Sequence, residues 1–319
     1  MASLSRRIYA SFCSRHPSPT TNMSNWIECY NPSNNAWHHV SRVPGLIENH
    51  ILKGFSMAVM GGSIFVIGGR LCHKMEVGDN DNPNDIVEVD LEVLSSVLRY
   101  DIGDDAWFKC APLGTPRFDF ACTVCEDKIY VAGGQCALAS AKGVSSAEVY
   151  DLGRDMWEAL PNMSTLRYKC VGVTWQGKVH VVGGFAARGD SWDTMERSSA
   201  ELYDPDGSRW KVIVAWKGHI EAYDEELNIW KVVEGSTTIS FPISTPTNRR
   251  LYLTMAPIGT DLYFLAGYRM PAPAGEISRM KSVVHVFNTT SNGDKYWRSF
   301  KPIEEEEEKE LCSHGCVAC

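Results

Sequence analysis

Short apolar runs alternate with polar turns along the whole chain, and the longest of them, such as Ile64–Ile67 and Val212–Trp216, have the length of a β-strand. None approaches the roughly 18 consecutive apolar residues of a membrane-crossing helix. Three runs end in a glycine pair: Ile64-Phe65-Val66-Ile67-Gly68-Gly69, Ile129-Tyr130-Val131-Ala132-Gly133-Gly134 and Val179-His180-Val181-Val182-Gly183-Gly184. A fourth, Leu262-Tyr263-Phe264-Leu265-Ala266-Gly267, departs at one position. A second signature, a Tyr followed seven residues later by a Trp, occurs five times: Tyr30/Trp37, Tyr100/Trp107, Tyr150/Trp157, Tyr203/Trp210 and Tyr223/Trp230.

Turn formers fill the space between Tyr and Trp, as in Asn31-Pro32-Ser33-Asn34-Asn35 and Asp204-Pro205-Asp206-Gly207-Ser208. Each Tyr strand and Trp strand therefore reads as an antiparallel pair joined by a tight turn. Phe118–Cys125 and Lys128–Ala132, with Glu126-Asp127 between them, predict two more strands, so one unit is a four-stranded meander. Complete units span 52–109, 117–158, 167–212 and 250–300, the last closing from Val286-Phe287 to Trp297. Two units are halves, near 26–40 and 217–233: Trp210 to Trp230 is 20 residues where Trp107 to Trp157 is 50, too few for four strands and their turns. About six units are expected, two without their inner strands, and the neighbours of the gaps are expected to expose apolar faces.

The double glycine, the downstream Tyr and the Trp seven further on resemble the kelch motif, and the resemblance implies an all-β, kelch-type β-propeller. Glycines at the end of the second strand let backbones approach closely and turn. The aromatic pair fills the wedge between blades. More narrowly, the chain is similar from Trp26 to about Pro302 to the plant F-box/kelch-repeat proteins. That resemblance implies a propeller that holds the substrate of an SCF-type ubiquitin ligase, while an F-box of some 40 to 50 residues docks Skp1. Only 25 residues precede the first repeat element. They lack the family's Leu-Pro opening, so the F-box is expected to be absent and Skp1 is not an expected partner.

Charge and cysteine usage narrow the class of partner. A net charge of −8 argues against nucleic acid, whose phosphates need clustered cations. Eleven irregularly spaced cysteines, with no secretory apolar region near Met1, suit reduced thiols in cytoplasm or nucleus. Cys122 and Cys125 form a C-x-x-C, but in a strand they point to opposite faces and do not chelate together. Residues 1–25, with Arg6, Arg7, Arg15, His16 and no acid, read as a disordered tail, with mitochondrial targeting as the other reading. The propeller then spans 26–302, and 303–319 is an acidic, Cys-rich tail. Within it Cys316-Val317-Ala318-Cys319 has the form of a prenylation box, making Cys316 a candidate lipidation site, although no second lipid or basic patch supports membrane binding.

Two sets of residues are candidates for contacting a protein partner. Arg117, Arg167 and Arg250 each lie 16 residues before Gly133, Gly183 and Ala266, at the start of the innermost strand, with Leu52 in the equivalent place in the first complete unit. A ring of arginines there suits an acidic peptide; the other reading has each one holding backbone carbonyls of the preceding blade. Rim loops 70–93, 135–145, 185–198 and 268–281 are the second set. The first is acidic, with Glu76, Asp79, Asp81, Asp85, Glu88, Asp90 and Glu92 against Arg70 and Lys74, and the third offers Trp192, Met195 and Arg197 as anchors. The competing class is an enzyme, since kelch propellers include copper oxidases and iron-dependent specifier proteins. No His here has an Asp four residues before it, as the Glu-x3-Asp-x3-His iron pattern requires, and neither a G-x-S-x-G elbow nor a phosphate loop is present. His38 and His39 are expected at the surface and His180 in the core. The sequence thus predicts a protein-binding module with no cofactor, metal or catalytic residue.

Overall fold

The computed structural model describes residues 7–14, 25–47, 49–79, 82–140, 142–175, 177–187, 199–204, 209–214, 221–224, 229–232, 249–259, 261–270, 279–288, 297–305, 309–313 and 317–318. Every regular element among them is a β-strand, and nearly all pair antiparallel with a sequence neighbour. The chain divides into a central unit, residues 44–217 with 312–314, and a terminal unit, residues 1–43 with 218–311 and 315–319.

In the central unit three sheets are four-stranded meanders in chain order. Blade 2 is Ser56–Met60, Ser63–Ile67, Val97–Asp101 and Ala106–Cys110. Blade 3 is Ala121–Cys125, Lys128–Ala132, Ala147–Asp151 and Met156–Leu160, and blade 4 is Val171–Trp175, Lys178–Val182, Ser199–Asp204 and Arg209–Val214. Position across the blade explains the residue pattern. Ser63–Ile67 is buried at all five positions, because a second strand meets protein on both faces, so it reads as a continuous apolar run. Ala106–Cys110, the outer strand, has no buried position. Phe65 and Ile67 pack with Phe120, Ile129, Val131 and Tyr150 in a core shared by blades 2 and 3.

Gly68 and Gly133 show why the glycine pair recurs. Their φ angles are 60° and 71°, and a Cβ there would stand 2.6 Å from Arg117 O and 2.7 Å from Arg167 O. The second glycine then donates to the same carbonyl: Gly69 N–H to Arg117 O at 2.8 Å and Gly134 N–H to Arg167 O at 2.7 Å. Each pair is thus a socket for the backbone of the next blade. Gly267 works differently: it lies inside the continuous strand Asp261–Met270 and leaves room for the Tyr252 ring, whose Cε1 would be 2.3 Å from an added Cβ.

The Tyr–Trp hairpin has the expected register, with Tyr30 opposite Trp37, Tyr100 opposite Trp107, Tyr150 opposite Trp157, Tyr203 opposite Trp210 and Tyr223 opposite Trp230. Tyr30, Tyr100 and Tyr150 donate to an Asx five residues on: Asn35 at 2.9 Å, Asp105 at 2.6 Å and Asp155 at 2.7 Å. Those Asx residues have φ of 50°, 50° and 46°, so the phenol ties down the left-handed corner of the turn. Phe287 opposite Trp297 takes the place of this pair in blade 6.

The terminal unit overturns part of the blade count. Ile8–Ser14 is a strand with six of its seven residues buried, pairing with Trp26–Asn31, which in turn pairs with Ala36–Arg42. Lys309–Leu311 and Val317–Ala318 pair with the other edge of Ile8–Ser14. The unit near 26–40 therefore has its inner strands, supplied by both ends of the chain, and forms blade 1. Residues 1–25 and 303–319 are accordingly not mere tails: a strand buried on both faces, like Ile8–Ser14, carries no alternation to announce it. Blade 6 is Arg249–Ile258, Asp261–Met270, Arg279–Asn288 and Trp297–Ser299, with Ile303–Glu305 also on Arg279–Asn288.

The unit near 217–233 is described as a two-stranded hairpin, Glu221–Asp224 with Ile229–Val232. The blades before and after it in the chain each show an apolar face. Val171 and Val173 of blade 4 are 53% and 44% exposed, while the alternate residues Gly172 and Thr174 abut Cys122 and Thr123 of blade 3. In blade 6, Leu253 and Met255 are exposed while Tyr252, Thr254 and Ala256 are buried.

Candidate functional site

The arginines are the clearest case of a sequence signal whose role the packing decides. Arg117 is fully buried, and its Nη1 donates to Gly133 O at 2.7 Å and Ser146 O at 3.1 Å. Its Nη2 donates to Ser146 Oγ at 3.2 Å and Glu148 Oε1 at 2.6 Å. Glu148 also accepts from Gly114 N–H at 2.7 Å and Thr115 N–H at 3.2 Å, in the segment entering blade 3. Arg167 repeats this: Nε donates to Glu201 Oε1 at 3.2 Å, Nη1 to Gly183 O at 3.1 Å, and Glu201 accepts from Ser164 N–H at 2.8 Å. Burial lowers the Arg117 pKa from the usual arginine value, with the adjacent Glu148 opposing it.

Partner contact by Arg117 and Arg167 is therefore corrected. A guanidinium fully buried in the blade, with donors committed to its carbonyls and a carboxylate, presents none to solvent. The carbonyls belong to each arginine's own blade, not to the preceding one. Arg250 lies in the first strand of blade 6, and its side chain is outside the described residues, as are Trp192, Met195 and Arg197. Cys316 is outside them too, directly before the strand residues Val317 and Ala318.

Glu148 and Glu201 also carry a periodic signal in the sequence. Counting back from Tyr instead of from glycine shows Glu two residues before it in Glu28/Tyr30, Glu148/Tyr150, Glu201/Tyr203 and Glu221/Tyr223. In blade 2 the same place is Leu98, and the arginine position is Leu52. Cation and carboxylate are lost together there.

The segment 70–93 is not a loop. Arg70–Asp79 and Asn82–Val93 form a long hairpin, and His50–Lys53 pairs with its first strand. Its two faces have opposite character. On one, Lys53 Nζ donates to Glu88 Oε1 at 2.5 Å, the buried Lys74 lies 3.5 Å from the same oxygen, and Asp90 meets Arg70 and Cys72 at 3.1 Å each. Arg70 also stacks over the Phe118 ring of the next blade's approach segment, 5.1 Å from its centroid. Burial raises the Glu88 pKa, but the Lys53 hydrogen bond and the two lysine charges win, and it titrates below its usual value. On the other face Met75, Val87, Val89 and Leu91 are 39–45% exposed, with Met75 directly across from Val87 and His73 across from Val89.

Thiols and imidazoles offer little chemistry. Burial pushes the Cys122 and Cys72 thiols up to about 12 and Cys170 to about 11. No group of three or more His, Cys, Asp or Glu among the described residues has metal-binding geometry. The cavity between blades 3 and 4, lined by Ala121, Thr123, Tyr130 and Val181, holds about 10 Å³, no more than a water. His38 and His39 are exposed, and His180 is half-buried with Nδ1 3.3 Å from Lys178 O.

Burial lowers the pKa of His180 and of His285 below 6.5. The unfolded chain therefore takes up protons on these rings before the folded chain does, and stability is full above pH 6.5 and falls as pH drops toward the folded values. Chemical denaturation at pH 7.5 and 5.5 is expected to show this loss, and H180Q/H285Q to reduce it. Glu88 and Asp155, whose unfolded values are 4.5 and 3.8 and whose folded values are lower, act only in more acid solution.

The glycine socket and Tyr–Trp hairpin of these four-stranded meanders are similar to those of kelch repeats. Residues 116–164, which open beside Arg117 and span blade 3, match the Kelch motif model. An F-box/kelch-repeat protein of Arabidopsis thaliana is 32% identical over 124 residues, 39% of this chain and 30% of that protein. A Kelch repeat and BTB domain-containing protein 2 of Horsepox virus is 27% identical over 127 residues, 40% of this chain and 22% of that one. The matches thus cover less than a third of each relative. Among solved structures, that of YjhT is similar at 13% identity and a TM-score of 0.41, over 80% of this chain and 66% of that one.

Proposed function

We propose that the chain is a protein-interaction module, its kelch blades a rigid frame that presents rim segments to a partner protein, as in the substrate-recognition part of an SCF-type ubiquitin ligase adaptor. It acts by binding, without catalysis or cofactor. The observation that carries this reading is the 70–93 hairpin, whose carboxylates Glu88 and Asp90 are held by Lys53, Lys74 and Arg70 and whose apolar side chains Val87 and Val89 face solvent. Exposed Val and Leu in register on a fixed strand add nothing to a monomer and suit a surface buried in a complex.

The test is affinity purification of the full chain from its native cells after cross-linking, with metal analysis of the same material. One or more specific protein partners and no stoichiometric metal are expected; Skp1 is scored alongside, and its recovery assigns the adaptor role directly. Stoichiometric copper or iron with oxidase turnover and no partner overturns the reading.

A further inference from the structure

Strand Asn82–Val93 is the outermost strand of its sheet: among the described residues it pairs with Arg70–Asp79 alone. Its other edge is a row of backbone donors and acceptors of the kind that accepts an added strand. Its sequence alternates strictly at the base of the hairpin, Val87-Glu88-Val89-Asp90-Leu91-Glu92-Val93, apolar residues interleaved with acids. Natural edges are usually blunted by lysine, bulges or short length. This one is long and exposes Val87 and Val89 on a regularly paired stretch, residues 85–90; Leu91 beyond it is the extra residue of a bulge, since Asp90 stands opposite Cys72 and Glu92 opposite Leu71.

We infer that this edge receives an extended segment of a partner protein as an added β-strand, with apolar side chains on one face and basic side chains on the other. The inference rests on the interaction-module reading and names the surface and the chemistry of the partner. Charge selects the occupant. Residues 70–93 hold seven carboxylates against Arg70 and Lys74, and both cations are already engaged by Asp90 and Glu88. A second copy of this strand would set acid against acid across the new ladder, which is unfavourable, whereas lysine or arginine on alternate positions pairs with Glu88 and Asp90. The apolar positions of the incoming strand then lie beside Val87 and Val89, which removes these exposed side chains from water. The ion pairs from Lys53, Lys74 and Arg70 hold the base of the hairpin in place before the partner arrives, so little ordering is left for the binding step.

The test uses the full chain and three ten-residue peptides: alternating Val and Lys, the same with a central Pro, and alternating Val and Glu. Fluorescence anisotropy is expected to show binding of the Val/Lys peptide only. V87Q/V89Q, which replaces exposed side chains and keeps the near-ultraviolet circular dichroism unchanged, is expected to weaken that binding at least tenfold. Equal binding of the acidic peptide, survival of binding in V87Q/V89Q, or no binding at all overturns the inference. So does a dimer of the free chain in sedimentation that V87Q/V89Q dissociates, which assigns the edge to a second copy. A native partner captured equally by wild type and V87Q/V89Q rejects this surface while leaving the interaction reading intact.

Discussion

Replacing Arg117 by leucine is expected to lower the stability of the chain by about 3–5 kcal/mol, the cost of leaving a buried carboxylate without its cation. Glu148 has only 7% of its side chain exposed, and its remaining partners would be the Gly114 and Thr115 amides. The carbonyls of Gly133 and Ser146 would lose their donors in the same step. Arg117→Lys is expected to recover little, because one ammonium cannot reach two carbonyls, a hydroxyl and a carboxylate that a planar fork spans. The double variant R117L/E148L is expected to regain part of the loss. Blade 2 already carries that combination, Leu52 with Leu98, at the equivalent positions. Recovery is partial because the Gly114 and Thr115 amides then lose their acceptor. Guanidinium unfolding followed by tryptophan fluorescence measures all three variants; a double variant less stable than Arg117→Leu would show that the pair cannot be exchanged for apolar side chains.

Lys309→Met is expected to cost a similar amount, about 3–5 kcal/mol, and to release the C-terminal strand. The residue is 3% exposed, with Nζ 2.6 Å from Glu28 Oε2 and 3.0 Å from Glu305 Oε2. The same ammonium lies 4.6 Å from the Phe12 ring centroid and 5.1 Å from that of Trp37. Methionine keeps the packing of the stem but leaves two poorly exposed carboxylates facing each other. Glu28 stands two residues before Tyr30, so Lys309 does for blade 1 what Arg117 and Arg167 do for blades 3 and 4. Hydrogen exchange is the measurement: amides of Ile8–Ser14 are expected to lose protection in the variant while those of Lys128–Ala132 keep it. Unchanged protection at Ile8–Ser14 would falsify the claim that the lysine holds the blade closed.

The two variants also mark the boundary of what the residues reveal in order. Arg117 was visible because it recurs at a constant offset from Gly133, and its two candidate roles were both statable. Burial chose between them, and burial depends on neighbours that are far apart in the chain. Glu148 is equally periodic, but its constant offset is from tyrosine and not from glycine. Lys309 had no periodic signal at all, since its contact with Glu28 spans 281 residues. The hairpin at 70–93 reads as a loop in sequence for a related reason. Its acids look like solvated spacer, and only the cross-strand register, Lys74 against Glu88 and Cys72 against Asp90, shows that Glu88 and Asp90 sit among cations and leave the valines outside.

By itself, then, the sequence determined the repeat unit: strands from alternation and apolar runs, glycine pairs where backbones meet, and Tyr with Trp across a tight turn. These are local constraints, set by φ angles, side-chain period and turn chemistry within one blade. Tertiary structure alone decided which segments complete blade 1, which arginines are sealed away from any partner, and which face of the hairpin meets water. Those outcomes depend on desolvation and on pairing between residues distant in the chain, and a linear pattern carries no record of either.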